Sequence, residues 1–509
     1  MPLSDTIPSI RILSVNQKPV LGGDGTLGGD YVLYWMTAFR RTRYNFALQR
    51  GVEWANRLGK PLLVFDALRC HYRWASDRFH RFIIDSMRDT ARSVIASNAS
   101  YCSYVEPVAN HAHGLIEELA KRACVLVSDD FPCFFHPTMV RMVASRVPCG
   151  MEIVDSNTIV PMREMDRTFT VAHSYRRAMQ KVVSETFPVF PLEEPLRYLE
   201  TAKLPELPRS WTERYGLKLD HGSLEDLERI EIRELPIDHS VFPTGEQGGE
   251  VEARKVLDRF ASRRLATYAE DRNEPEKAGS SWLSPYLHFG NISPHEVFLA
   301  IAKETDWSTS KLSKPNGKME GFWNMGTDAE AFMDQLMTWR EIGFNMCVRD
   351  PHYMRYESLP EWALTTLADH AGDRRETVYD LEQFEKGSTH DALWNAAQRQ
   401  LVREGRIHNY LRMLWGKKIL HWSESPQEAL RIMIELNNKY ALDGRNPNSY
   451  SGIFWVLGRY DRAWGPERPI FGKVRYMTSE STASKFSVKK YIRTYGADGG
   501  NGLFDQGNR

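Results

Sequence analysis

The sequence predicts two domains of different class: an α/β domain on a doubly wound parallel sheet, then an all-α domain. Three observations carry this. The chain has 509 residues, about three times a typical domain. Short apolar runs alternate with helical periodicity up to about residue 185. From Val251 onward strand signals fade and apolar residues recur at helical spacing. Apolar residues at 42% and charged residues at 26% give ordinary material for a core.

Residues 1–29 are expected to form an N-terminal loop or arm. Their glycine-rich stretch 22–30 has the composition of a phosphate loop but precedes the first strand run, so the strand–loop–helix context is missing. Residues 30–186 hold the strand candidates Tyr31–Met36, 61–65, 124–127 and 151–154, with helical stretches such as 45–58 and 115–123 between them. Strands alternating with helices imply β-α-β units and a Rossmann-like parallel sheet covered on both faces. Residues 187–250 carry seven recurring prolines from Pro188 to Pro243 and end in Thr-Gly-Glu-Gln-Gly-Gly, which predicts an inter-domain connection with some helix in it. Residues 251–509 form the helical domain, with helices expected at 251–268, 295–303, 329–347, 390–404, Asn409–Trp422 and Pro426–Tyr440.

Lys+Arg and Asp+Glu both number 66, which excludes nucleic-acid binding by a wholesale positive field. The balance is uneven: residues 400–509 hold 18 Lys+Arg against 10 Asp+Glu, and the 399 residues before them 48 against 56. A basic C-terminal quarter suits a polyanion on one face, or a solvated helical surface. The six cysteines form no C-x-x-C pair and no zinc-like spacing, so no metal is expected and buried free thiols in a reducing compartment are. No secretory h-region is visible, and no apolar run approaches the ~18–20 residues of a membrane helix. A soluble, intracellular monomer is expected.

Four constellations point to chemistry. In Asn409–Trp422, Trp415 and Trp422 stand at i and i+7 on one face, with Arg412 a turn before Trp415 and Trp394 on the preceding helix. Three such indoles can be core, or can pass electrons by stepwise oxidation. The turn at 441–448 is rich in polar groups and offers Asp443 as a partner for Arg412. A hydroxyl cluster at 279–285 would hold a phosphate or cap a helix. Glu341 follows Trp339 and Arg340 on a largely apolar helix, with Gln335 on the preceding turn.

Together the stretches 282–290 (WLSPYLHFG), 389–398 (THDALWNAAQ), Asn409–Trp422, 441–448 and 471–477 (FGKVRYM) resemble the photolyase/cryptochrome family, and most closely the class II cyclobutane pyrimidine dimer photolyases. The stretches 154–161 (VDSNTIVP) and 32–36 (VLYWM) extend the match toward the N-terminus. The resemblance implies FAD, reduced and anionic when active, in the helical domain, and DNA bound there; it leaves open the presence and identity of an antenna chromophore. A photon sends an electron from the flavin into a flipped-out dimer, and no metal takes part.

By resemblance, Tyr268, Ser280, Ser281, Leu283 and Ser284 grip the FAD phosphates. Arg412 and Asp443 form the ion pair beside the isoalloxazine, Asn437 faces flavin N5, and Gly444 and Arg445 follow in the contacting turn. Trp415, Trp394 and Trp422 match the photoreduction chain in that order from flavin to surface. Glu341 resembles the acid that bonds the dimer, Met413 the thioether beside it, and Trp455 the wall on the flipped bases. Trp464 and Arg475 resemble the residues that fill the gap in the duplex, with Lys473 and Lys485, and also Lys489 and Lys490, as phosphate contacts.

Departures are specific. The segment 342–345 lacks a second lesion-facing Trp, leaving Phe344 as the opposing wall. Asn446 stands where class II members usually carry Asp, the loop between Trp455 and Trp464 is one residue short, and the run 41–45 lacks an Asp before Asn45. A cryptochrome-like blue-light receptor would use the same flavin and indoles. Such members carry a long C-terminal extension, whereas about fourteen residues follow Tyr495 here. A flavin redox protein acting without DNA would have no use for Trp464 and Arg475. Location would be cytoplasmic in a prokaryote and nuclear or organellar in a eukaryote.

Overall fold

Six strands build the sheet of the α/β part: β1 (Ile12–Ser14), β2 (Tyr31–Met36), β3 (Leu62–Leu68), β4 (Ser100–Val105), β5 (Ala123–Asp129) and β6 (Gly150–Val154). Their spatial order is β1-β6-β5-β2-β3-β4. All neighbours run parallel except β1, which lies antiparallel on β6 with Leu13 opposite Ile153. The computed structural model describes residues 6–22, 28–277 and 279–497, so most of the glycine-rich run 22–30 lies outside the described residues.

Every position of β2 and β5 is buried, as near-continuous apolar strands covered on both faces require. On one face Tyr31, Leu33, Trp35, Leu63 and Phe65 pack with Leu115 and Leu119 of the helix Leu115–Ala120 and with Val140 and Val143 of the helix His136–Arg146. On the other, a Cβ at Gly51 of the helix Phe46–Leu58 would lie 3.1 Å from Leu62 and 3.6 Å from Tyr34.

The sheet is parallel as expected apart from the antiparallel edge β1, and two strands escaped the apolar pattern. β1 is a three-residue edge. β4 reads SYCSYV, and its outer edge is closed by side chains: Tyr101 N donates to Asp220 Oδ1 (2.9 Å) and Ser103 N to Ser223 Oγ (2.6 Å). Both acceptors belong to the helix Asp220–Arg229 within the segment expected as a connection. That segment also puts Trp211 and Tyr215 into the sheet's core.

From β2 the chain steps outward through β3 and β4, then returns to the other side of β2 for β5 and β6. The strand ends diverge between β2 and β5, the crevice where ligands bind in such sheets. Asp129 ties this point together. Its Oδ2 accepts from the backbone N–H of Thr37, Ala38 and Phe39 (2.7–2.9 Å), and its Oδ1 accepts from Tyr34 (2.7 Å).

Two compact units result. The first spans Met1–Glu164, Thr186–Arg259 and Trp282–Lys303, and the second spans Met165–Glu185, Phe260–Ser281 and Glu304–Arg509, over their described residues. In the second unit, Asn409–Trp422 and Pro426–Tyr440 are single helices, as their periodicity predicts. Ala392–Glu404 precedes them and Pro447–Val456 follows. Among the described residues no helix is long and apolar enough to cross a membrane. All six cysteines are free and buried.

Candidate functional site

The stretch expected as one helix over 329–347 is three pieces: Thr327–Met333, a π-helical turn Asp334–Trp339, and Arg340–Arg349. The widened turn is held from outside. Arg176, of the helix Ala172–Glu185, grips Asp334 with two hydrogen bonds (2.6 and 3.1 Å) and donates to the Gly317 carbonyl. Such bulges concentrate at functional sites because they re-aim side chains. Here Gln335 and Trp339, four apart and about one turn of the widened helix, are both half-buried while their neighbours are buried.

Trp339 stacks on Trp455, with ring centroids 4.7 Å apart and planes 22° apart. Trp455 is also half-buried, on the last turn of Pro447–Val456. The ring stacked on Trp455 is therefore Trp339, and not Phe344 as expected. Phe344 is buried beneath the Arg340 guanidinium, 4.7 Å from its ring. Glu341 is 1% exposed, and its charge helps to raise the buried Tyr175 hydroxyl well above its ordinary value, after burial itself. The structure thus places Glu341 inside the unit, not on the half-open face that holds Gln335, Trp339 and Trp455. A signal for Trp339 existed in the sequence, an indole one turn from a polar Gln on an apolar helix, but core packing accounts equally well for that pattern.

The helix Asn409–Trp422 presents different residues to different neighbours. Half-buried Arg412 pairs with buried Asp443 at 3.5 Å, and Met413 beside Arg412 is half-buried. Trp415 is buried and donates to Gln398 Oε1 (2.9 Å), while Trp394 donates to the Trp415 carbonyl (3.0 Å). Trp394 meets Trp422 edge to face at 6.1 Å. Trp394 thus touches the Trp415 backbone and the Trp422 ring, but Trp422, expected at the surface end, is buried. The exposed ring against it is His390, 4.9 Å away. Lys418 lies 4.9 Å over Trp422 and pairs with Asp391 at 3.4 Å.

The polar groups before and within the turn at 441–448 are linked to one another. Asn437 donates to Ser449 Oγ (2.7 Å) and Asn438 Oδ1 (3.3 Å), leaving its own Oδ1 without a hydrogen bond among the described residues. Asn438 Oδ1 accepts from Arg445 N (2.8 Å), fixing the turn. Gly444 is required there, because a Cβ would lie 2.8 Å from the Asn437 carbonyl and 2.9 Å from that of Ala441. Asn446 caps Pro447–Val456 by accepting from Asn448 N, so the amide oxygen performs what an Asp would.

Tyr268 is buried, with its hydroxyl raised by burial against the opposing charge of Arg272. Arg272 Nη1 is buried without a hydrogen-bond partner among the described residues, an orphaned donor that fits an anionic group. Ser280 and Ser281 belong to this unit, and Leu283 and Ser284 to the other. The helix Ser284–His288 begins after Leu283, whose side chain makes no cap.

The loop after Pro447–Val456 carries the exposed aromatic. Trp464 is 36% exposed and donates from Nε1 to Asp461 (2.9 Å) and from its backbone to the Lys473 carbonyl (2.8 Å). Arg462 and Arg475 lie 4.7 and 5.2 Å from its ring. Trp464, Lys473 and Arg475 are thus brought together. Lys485 ends a separate exposed helix, Ser479–Lys485.

Known proteins decide the family. A photolyase from Methanothermobacter thermautotrophicus is 32% identical over 474 residues, covering 92% of this chain and 96% of that protein. One from Arabidopsis thaliana is 34% identical over 489 residues, covering 95% and 91%. The chain belongs to the deoxyribodipyrimidine photolyase family. No family model matches the sequence. Among solved structures, a class III photolyase from Agrobacterium tumefaciens aligns with a TM-score of 0.66 at 16% identity, over 93% of this chain and 88% of that one. A Synechocystis cryptochrome aligns with a TM-score of 0.64 at 14% identity, over 91% and 88%. Both share the fold.

In this photolyase-family chain the first unit holds a cavity of about 260 Å³ at the C-terminal ends of β2, β3 and β4, lined by Trp35, Phe65, Tyr104, Phe135, Arg69 and Glu106 among others. In the second unit the π turn depends on one ion pair. Arg176→Ala leaves Asp334 buried without its cation and is expected to cost about 3–5 kcal/mol in urea unfolding. A loss below about 1 kcal/mol would show that the turn is held by something else.

Proposed function

We propose that this chain repairs cyclobutane pyrimidine dimers in DNA by light-driven electron transfer, with the second unit holding reduced FAD. The observation that carries this reading is the half-exposed Trp339–Trp455 stack, in the same unit as the Arg412–Asp443 pair and the indoles Trp415, Trp394 and Trp422. When bound, FAD supplies an electron to the dimer on illumination and recovers it after the ring opens, so the net reaction consumes no reductant. Every other part is positioning.

The Arg412 cation stands where negative charge on a flavin is favoured, with Asp443 fixing its direction. Asn437, anchored through Ser449, offers a free amide oxygen. Tyr268, Arg272, Ser280 and Ser281 hold the phosphates, Arg272 through its orphaned donor. A flipped dimer stacks on the Trp339–Trp455 pair beside Met413, and flipping costs a few kcal/mol, less for a lesion whose stacking is already damaged. The burial of Glu341 supports giving the lesion contact to Gln335, whose amide can donate to a pyrimidine carbonyl without titrating. Trp464 and Arg475 fill the vacated step, while Lys473 and Lys485 meet phosphates. Trp415, Trp394 and Trp422 carry electrons inward. Lys418 over the last indole is neutralised by Asp391, so it does not oppose positive charge there. The aromatic cavity of the first unit suits a flat antenna chromophore. Six buried free thiols suit a reducing, intracellular compartment.

The test is illumination of the reduced, FAD-loaded protein with an oligonucleotide carrying one thymine cyclobutane dimer. Intact thymines should reappear under blue light. Unchanged dimer with FAD bound would overturn the reading and leave a light receptor. Separately, Trp415→Phe is expected to block photoreduction while repair by pre-reduced protein persists. Loss of both would remove Trp415 from the electron route.

A further inference from the structure

We infer that Lys417 is a positioning residue for the lesion wall: its ammonium completes the C-terminal end of the helix Pro447–Val456 and so fixes Trp455 against Trp339. This rests on the proposed role of Trp455.

The last carbonyls of a helix have no partner inside it and concentrate partial negative charge. In Pro447–Val456 their partners can be followed one by one. The Phe454 carbonyl accepts from the N–H of Leu457 and Arg459, and that of Trp455 from Gly458. The Val456 carbonyl accepts from Lys417 Nζ, the one hydrogen bond of that side chain among the described residues. Lys417 is completely buried, where an ammonium is costly unless its charge is used.

At the neighbouring Gly416 a Cβ would lie 2.5 Å from Val456 Cγ2, so the two helices are in close contact beside the lysine. The lysine therefore sits one residue from Trp455 along the capped helix and two residues after Trp415 on its own.

The charged groups that reach Lys417 are Asp461, on the loop after the helix, and Arg475, on the segment 473–477. The helix Pro447–Val456 carries no charged side chain. Asp461 is itself engaged by the Trp464 indole. Burial brings the Lys417 ammonium down to about 7, with Asp461 opposing the fall and Arg475 adding to it. It is charged below that pH and neutral above. The cap is therefore strongest below neutrality and weakens as pH rises through this value. Stability runs the other way: the buried charge penalises the fold below about 7, and the penalty lifts between there and the free-lysine value.

The experiment measures dark affinity of the FAD-loaded protein for dimer-containing against undamaged duplex, at fixed salt, from about pH 6 to about pH 9. Wild type should lose roughly tenfold of its discrimination across that range. Lys417→Met should show the weakened value at every pH, and Lys417→Arg the strong value throughout, with photoreduction unchanged in both. Wild-type discrimination and pH profile in a flavin-loaded Lys417→Met protein would overturn the proposal. If that variant fails to fold, a pH-independent wild type indistinguishable from Lys417→Arg overturns it equally. Trp455→Ala separates the two levels. If it leaves discrimination intact, the lesion-wall reading itself fails; if it abolishes discrimination while Lys417→Met does not, only the lysine's role fails.

Discussion

The helix Asn409–Trp422 packs on Pro447–Val456 by setting its bare backbone at Gly416 against the Val456 side chain. Gly416 permits that approach, since any Cβ there would occupy the space of Val456. On one side of this contact lies Arg412 with Asp443, on another Trp415 with Trp394, and across it Trp455. The residues proposed for the electron donor, the electron route and the lesion wall are thus referred to one helix pair. Close-packed interiors transmit small displacements rather than absorbing them, so precision in this pair is what the chemistry requires.

The polar groups follow the same logic. Asn437, Asn438, Ser449 and Tyr450 form one hydrogen-bonded set between two helices, and Arg445 N joins it. Satisfied buried networks are rigid, which holds the turn at Asp443 and Gly444 against the helix that precedes it. The aromatic route is buried too. Trp394 and Trp415 each have their indole N–H bonded inside the protein, which fixes ring orientation.

The sequence showed those parts whose cause is local. Asn409–Trp422 has its bounds in the periodicity, and the indoles at i and i+7 announce a shared face. β2 and β5 are apolar runs because both their faces are covered. What it hid has distant causes. β4 is a strand because Asp220 and Ser223, more than a hundred residues on, satisfy its edge. The π turn that aims Trp339 exists because Arg176 reaches Asp334 across 158 residues. Lys417 adds to a basic count that suggests a surface, and only its carbonyl partner shows it to be internal. Glu341, the expected lesion acid, follows the π turn and so faces inward.

The assignment on which the others turn is that of the stacked indoles as the platform that recognises the lesion. It is tested most directly by a double-mutant cycle on Trp339→Ala and Trp455→Ala, reading the ratio of affinities for dimer-containing and undamaged DNA. Each single change should lose about 1–3 kcal/mol of discrimination, and the double change clearly less than the sum, because the rings act as one surface. A double variant that still holds FAD and still prefers the dimer as strongly as the unaltered protein would contradict the account.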